Sequence, residues 1–164
     1  MTTYVSSVTS ALGDLTLTKT SAGLSGVYFE AHRRGPVIDA TYRRDDAAFD
    51  DERCQLDEYF AGTRTMFDLA LDPSGTDFQK AVWALLRKLR FGETASYADL
   101  AARLGKKGAA RAVGSANARN PISIIVPCHR VVGQDGALTG YAGEEWRKKW
   151  LLDHEKVTRV ASPR

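Results

Sequence analysis

Cysteine is scarce in this 164-residue chain: only Cys54 and Cys128 occur. Two thiols cannot build a disulfide framework, and a chain of this length buries a core without one, so a reducing compartment is expected. Long apolar runs are also missing. The longest, Ala81 to Leu86, falls far short of the roughly 18 residues that argue for a membrane span, which excludes a transmembrane helix and a membrane partner. The stretch Met1 to Ser6 has neither the basic nor the apolar region of a secretory signal, making the cytoplasm the expected location. Proline is sparse at 5 residues, and 43% hydrophobic with 26% charged residues is the composition of a folded protein rather than a disordered or fibrous one.

A large excess of either charge is absent from the chain as a whole, at +3, but not from its halves. The turn-like Asp72-Pro73-Ser74-Gly75 divides 7 basic and 12 acidic residues before it (−5) from 16 basic and 8 acidic after it (+8). A basic half joined to an acidic one hints at nucleic-acid binding, because Lys and Arg that neutralise phosphates release condensed counterions. Chance segregation is the alternative.

Thr3 to Ser10, Asp14 to Thr20 and Gly23 to Glu30 mix β-branched or aromatic residues with polar ones between glycine-containing turns, so a meander of three strands is expected. Residues 31 to 44 have little periodicity and read as a loop. Asp46 to Ala61 reads as a helix with Phe49, Leu56 and Phe60 on one face and Gly62 closing it, and Thr65 to Leu71 alternates like a half-buried strand.

Helical patterns follow Pro73. Thr76 and Gln79 form a capping-box pair ahead of Phe78, Val82, Leu85, Leu86 and Leu89 on one face. Ser96-Tyr97-Ala98-Asp99 opens a second helix through Leu104, ended by Gly105. The basic turn Lys106-Lys107 then leads into Gly108 to Ala118. Helix, turn and helix in a basic setting suggest a DNA-binding helix-turn-helix, although small bundles share the pattern. In the second helix Arg111 is the only long side chain among Ala109, Ala110, Gly114, Ser115 and their neighbours. Such a helix lacks the side chains that read bases in the major groove. It suits close, sequence-independent approach to the minor groove, or alternatively tight helix packing.

The apolar run Pro121 to Val126 reads as a buried strand-like segment that ends in Pro127-Cys128-His129-Arg130. A cysteine delivered so to a histidine is placed like a nucleophile; the commoner fate of a free thiol is a core position, which is how Cys54 reads. A thiol of pKa near 8.5 is only a few per cent thiolate at pH 7, so Cys128 needs an activating base.

The run Asn120 to Gly133 resembles the active-site motif of the O6-alkylguanine-DNA alkyltransferases, the methylated-DNA–protein-cysteine methyltransferases. The resemblance continues upstream through Phe91-Gly92-Glu93, Ser96-Tyr97 and Ala109 to Gly114, and downstream through Gly140-Tyr141-Ala142-Gly143 and Trp150 to Glu155. It covers residues 76 to 156; before them only a compatible β-rich domain and Tyr59-Phe60-Ala61-Gly62 match. It implies an α+β fold: residues 1–72 form a small structural domain of β-sheet plus helix, and residues 73–164 a mainly helical, DNA-binding alkyltransferase domain with a winged-helix-like helix-turn-helix.

The resemblance also implies chemistry. Cys128 would take an alkyl group from guanine O6 in double-stranded DNA, with activity on O4-alkylthymine left open. The thioether product carries no activated carbonyl for water to attack, so the protein would turn over once. His129 would take the thiol proton through a water, Glu155 would orient the imidazole, and Asn120 would hold the active-site turn. Tyr97 would donate a proton at ring N3. Tyr141 would pack along the flipped base, with backbone at Cys128, Val131 and Ala142 reading its edge beside Gly143. Arg111 would fill the gap in the stack, helped by residues 87 to 130, which hold nine Lys or Arg against Glu93 and Asp99.

No cofactor and no metal is expected: with Cys54 and His32 the only such ligands before residue 73, the structural zinc of some relatives has no cysteine-rich site here. A monomer is expected in solution, with cooperative assembly on DNA left open. Glu144-Glu145-Trp146 departs from the small residues usual after Tyr141-Ala142-Gly143. The main alternative is a non-catalytic relative that binds alkylated DNA, against which Cys128 itself argues. A helix-turn-helix regulator lacks base-reading side chains, and a cysteine hydrolase lacks an oxyanion-hole motif.

Overall fold

The computed structural model describes residues 2–32, 35–138 and 141–161, with the side chains of 159–161 excepted. Strands β1 (Thr3–Ser10), β2 (Gly13–Thr20) and β3 (Gly23–Phe29) form the expected meander. The segment expected to be all loop ends in a short strand, β4 (Tyr42–Arg44), parallel to β1, so the sheet order is β3-β2-β1-β4. Three residues without alternation carry no strand pattern; pairing with β1 makes them one. The helix expected from Asp46 begins as a 3₁₀ turn, Asp46–Phe49, capped by the Asp45 side chain, and continues as α1 (Asp50–Phe60).

At the end of α1, Gly62 takes φ +82° and the bonds Gly62 N–H to Tyr59 O and Thr63 N–H to Glu58 O complete a Schellman cap. The helix buries Glu52, Leu56 and Tyr59. Cys54 sits two positions from Glu52 and Leu56, about 200° around the helix, and is exposed rather than in the core, which corrects the sequence expectation.

Thr65 to Leu71 is not a strand. Phe67, Leu69 and Leu71 do alternate against the core, but only Leu71 bridges to Leu24 of β3. The free edge of β3 is shared between two segments: Leu24 bonds Ala70 and Asp72, while Val27 bonds Pro121 and Ser123. Neither segment can therefore run along the whole edge.

Helices α2 (Asp77–Leu86), α3 (Tyr97–Arg103) and α4 (Ala110–Ala118) follow, and both expected capping boxes, Thr76 with Gln79 and Ser96 with Asp99, are formed. A second Schellman cap ends α3 at Gly105, φ +72°, and turns the chain into α4. The pair β5 (Ala95–Ser96) and β6 (Val131–Val132) ties the start of α3 to the segment after Cys128. Helix α5 (Glu145–Ala161) closes the fold. One apolar cluster, including Leu15, Leu24, Tyr59, Leu86, Val113, Ile122 and Leu151, runs through both sequence halves. Each such side chain contributes about 1.5–3 kcal/mol by leaving water.

Candidate active site

Residues 120 to 131 lie almost entirely inside the protein, yet Pro121 to Val126 is turn, not strand. Ile124 has φ +73° and lies under a bond from Ile125 N–H to Ser123 O, a strained γ-turn for a β-branched residue. Pro127 (φ −82°, ψ 64°) lies under the next such bond, Cys128 N–H to Val126 O. Consecutive tight turns fold the apolar run back on itself, and its side chains anchor it in the core. Asn120 ties them together: its amide N–H donates to Val126 O at 2.8 Å and its oxygen accepts from Ile122 N–H at 3.0 Å.

Cys128, His129 and Arg130 form one 3₁₀ turn, all buried. Glu155 reaches them from α5, itself only 1% exposed. Its carboxylate accepts from His129 Nε2 at 2.6 Å, Arg130 Nε at 2.8 Å, Arg130 Nη2 at 3.0 Å, Tyr59 Oη at 2.7 Å and Gly92 N–H at 3.2 Å. Burial works against an ionised Glu155, but His129 and Arg130 hold its pKa far below the ordinary carboxylate range. An ionised carboxylate only accepts, so the His129 proton sits on Nε2. Burial pushes the His129 pKa down against the pull of Glu155, leaving a neutral ring whose Nδ1 is buried without a hydrogen bond to any described residue. Burial likewise pushes the Cys128 thiol up, opposed by Asn120 and Lys148. The resting pair is a thiol beside a neutral imidazole with one basic nitrogen free, which is the arrangement required for proton removal from sulfur.

Tyr97 and Tyr141 both interact electrostatically with Cys128. Burial and that neighbour raise both tyrosine pKa values, keeping the phenols protonated and able to donate. Gly143 is dictated by packing, since a Cβ there would collide with the Phe29 ring. Val131 is buried in β6 and Ala142 half-buried, while Gly140 lies outside the described residues. Trp146 is turned outward, half-exposed, with its ring under the Arg147 guanidinium.

Arg111 stands exposed on α4 and takes no part in the buried network. Ser115 shares its exposed side, while Val113, Ala116 and Asn117 face inward. Ala109 and Ala110 form the helix start, which no side chain of the described residues caps. The packing reading of these small residues holds on the inner side, where Gly114 packs on the Tyr97 ring and Ala116 O accepts from Trp83 Nε1 at 2.9 Å, and the outer face is slim.

Four members of this region escaped the sequence reading. Arg130 and Tyr59 complete the shell around Glu155, Asn117 Nδ2 donates to Cys128 O at 3.3 Å, and Lys148 is buried nearby. Arg130 adjoins the Cys-His pair and Tyr59 opens the matching run Tyr59-Phe60-Ala61-Gly62, so both had a signal; Lys148 had none.

The chain has clear relatives. Residues 77–157 match the family model described as the DNA binding domain of 6-O-methylguanine DNA methyltransferase, and residues 3–73 match its ribonuclease-like domain. A methylated-DNA–protein-cysteine methyltransferase of Methanosarcina barkeri is 43% identical over 153 residues, 93% of this chain and 97% of that one. One of Mycobacterium bovis is 55% identical over 112 residues, 68% of each. The crystal structure of Mycobacterium tuberculosis OGT in complex with DNA is similar with a TM-score of 0.88 at 43% identity, covering 96% of this chain and 94% of that one.

Proposed function

The chain belongs to the 6-O-methylguanine DNA methyltransferase family, and from that premise we propose the following course of repair. The protein binds double-stranded DNA and transfers an alkyl group from guanine O6 irreversibly to its own Cys128. The observation that carries this reading is the free Nδ1 of a neutral His129, oriented through Nε2 by an ionised Glu155 and adjoining a buried thiol.

The Cys128 proton passes to His129 Nδ1 through a water, and the imidazolium formed is held by Glu155. Sulfur then attacks the alkyl carbon as the carbon–oxygen bond breaks, and the bond pair leaves with guanine. Tyr97, kept protonated by burial and by its neighbour Cys128, supplies the proton that leaving guanine needs. The product is a neutral thioether that water cannot hydrolyse, so each molecule acts once.

Chemistry on O6 requires the nucleotide to leave the stack, at a cost of a few kcal/mol that falls for a mispaired damaged base. The slim face of α4 approaches the minor groove, Arg111 fills the gap, and the uncapped first turn donates N–H groups to phosphate. Tyr141, Gly143 and the backbone at Val131 and Ala142 line the base pocket. Residues 73–164 hold this machinery, and residues 1–72 support it, with Tyr59 as their direct contribution. A thiol that must stay reduced fits the cytoplasm.

Intact-protein mass spectrometry after incubation with O6-methylguanine DNA tests this reading. A gain of one methyl on wild type and none on Cys128→Ser supports it. An unmodified wild type would eliminate it in favour of non-catalytic binding of alkylated DNA.

A further inference from the structure

Lys148 is a lysine with 0% exposure whose Nζ makes no hydrogen bond to any described residue. Buried ammonium groups are normally paired, because an isolated charge is costly to remove from water. Its placement follows from helix geometry: Lys148, Leu151 and Glu155 fall at i, i+3 and i+7 of α5 and all are buried. One face of α5 therefore presents a cation and an anion two turns apart. Glu155 faces His129 and Arg130, and Lys148 faces the Tyr141 ring, with Nζ 5.9 Å from its centre, and feels Cys128 electrostatically.

No ion pair formed by the described residues includes Lys148. Burial pulls the Lys148 pKa down, opposed by Cys128 and by Glu145, which is exposed at the start of α5, while Glu155 is saturated by its own four partner residues. The remaining group facing this ammonium that can become an anion at moderate pH is the Cys128 thiol. Tyr141 beside it, and Tyr97 on α3, are held protonated by burial.

We propose that Lys148 is the cation that faces the Cys128 sulfur as it ionises, a second charged partner of the nucleophile besides His129. This rests on Cys128 as the alkyl acceptor. Lys148 gives up no proton in the step: the thiol proton goes to His129, the sulfur lone pair forms the new bond to carbon, and the ammonium offsets the charge on sulfur in between. Lys148 also opposes a positive charge on His129. Its action is therefore to hold the anion rather than to assist the base.

Lys148→Met keeps the length of the stem and Lys148→Gln keeps a polar head. The rate of Cys128 alkylation by iodoacetamide, followed from pH 6 to 10 on the Cys128 peptide so that exposed Cys54 does not interfere, reads the thiolate without any guanine. A nearby opposite charge shifts a pKa by about 1–3 units. The profile of either folded variant should therefore move up by about one unit or more, with alkylation at pH 7 slowed about tenfold or more and O6-benzylguanine transfer slowed in parallel. A folded variant with the wild-type profile overturns the role of Lys148. So does failure of both variants to fold, because loss of an unpaired buried charge unfolds the protein only if Lys148 is a structural ion. Absence of methyl transfer by the wild type would instead remove Cys128 as the acceptor and leave the iodoacetamide profile standing.

Discussion

Replacing Glu155 by Gln changes almost no volume and removes one charge, so its effect measures the electrostatic network directly. The carboxylate accepts five hydrogen bonds from Tyr59, Gly92, His129 and Arg130. A glutamine offers one acceptor oxygen, and its NH₂ faces groups that are themselves donors. Arg130 is only 5% exposed, and among the described residues its guanidinium would be left beside no carboxylate, with Leu89 O and at most the one glutamine oxygen as acceptors. Removing one partner of a buried ion pair costs about 3–5 kcal/mol, a large share of a typical stability of about 5–15 kcal/mol. At about 2–4 °C per kcal/mol for a chain of this size, the melting temperature should fall by roughly 6–20 °C.

The depressed Glu155 pKa gives this loss a pH signature. Its stabilisation is fully present above the ordinary carboxylate value of about 4.3 and disappears as pH falls toward the folded value. The gap between wild type and variant should therefore be constant near neutrality and narrow below about pH 4. Transfer from O6-benzylguanine should slow by about 10²-fold or more, since His129 loses both its orientation and the partner of its charged form. Adding Arg130→Met should recover much of the stability and none of the transfer. Calorimetric melts of the three proteins decide it: a Glu155→Gln variant melting within about 2 °C of wild type refutes the account of the network.

Two further outcomes follow from the outer face and from packing. Arg111→Ala should slow repair of duplex O6-methylguanine about tenfold or more while O6-benzylguanine transfer stays within about twofold, and duplex repair alone should fall about tenfold or more from about 50 to about 200 mM salt; equal losses on both substrates in single-turnover assays would remove Arg111 from base extrusion. Gly143→Ala puts a methyl into the Phe29 ring, far inside contact distance, so thermal melts should show a loss of about 1–3 kcal/mol; an unchanged melting temperature would mean that Phe29 yields freely.

Elements specified by neighbouring residues were legible in the sequence. The meander β1–β3, both capping boxes and the glycine ends of α1 and α3 depend on side chains and backbone within a few positions. The same locality misled at Thr65 to Leu71 and Pro121 to Val126. Each has an apolar pattern that suits a strand, but strand pairing needs a free edge, and the edge of β3 is divided between them. Cys54 failed as a core thiol because its neighbours Glu52 and Leu56, not Cys54, turn inward.

At the site, the sequence by itself determined the family and the principal side chains, because Pro127-Cys128-His129-Arg130, Asn120, Tyr97 and Glu155 stand at recognisable spacings. Only the tertiary structure decided how charge is distributed around them. Hydrogen bonds and burial are set by groups distant in the chain: Tyr59 reaches Glu155 across 96 positions. Arg130 gains its role from a helix 25 residues away, and Lys148 becomes an unpaired cation only when α5 docks. A residue's type is local, but its ionisation depends on which groups surround it and how little water remains, and both are properties of the folded molecule.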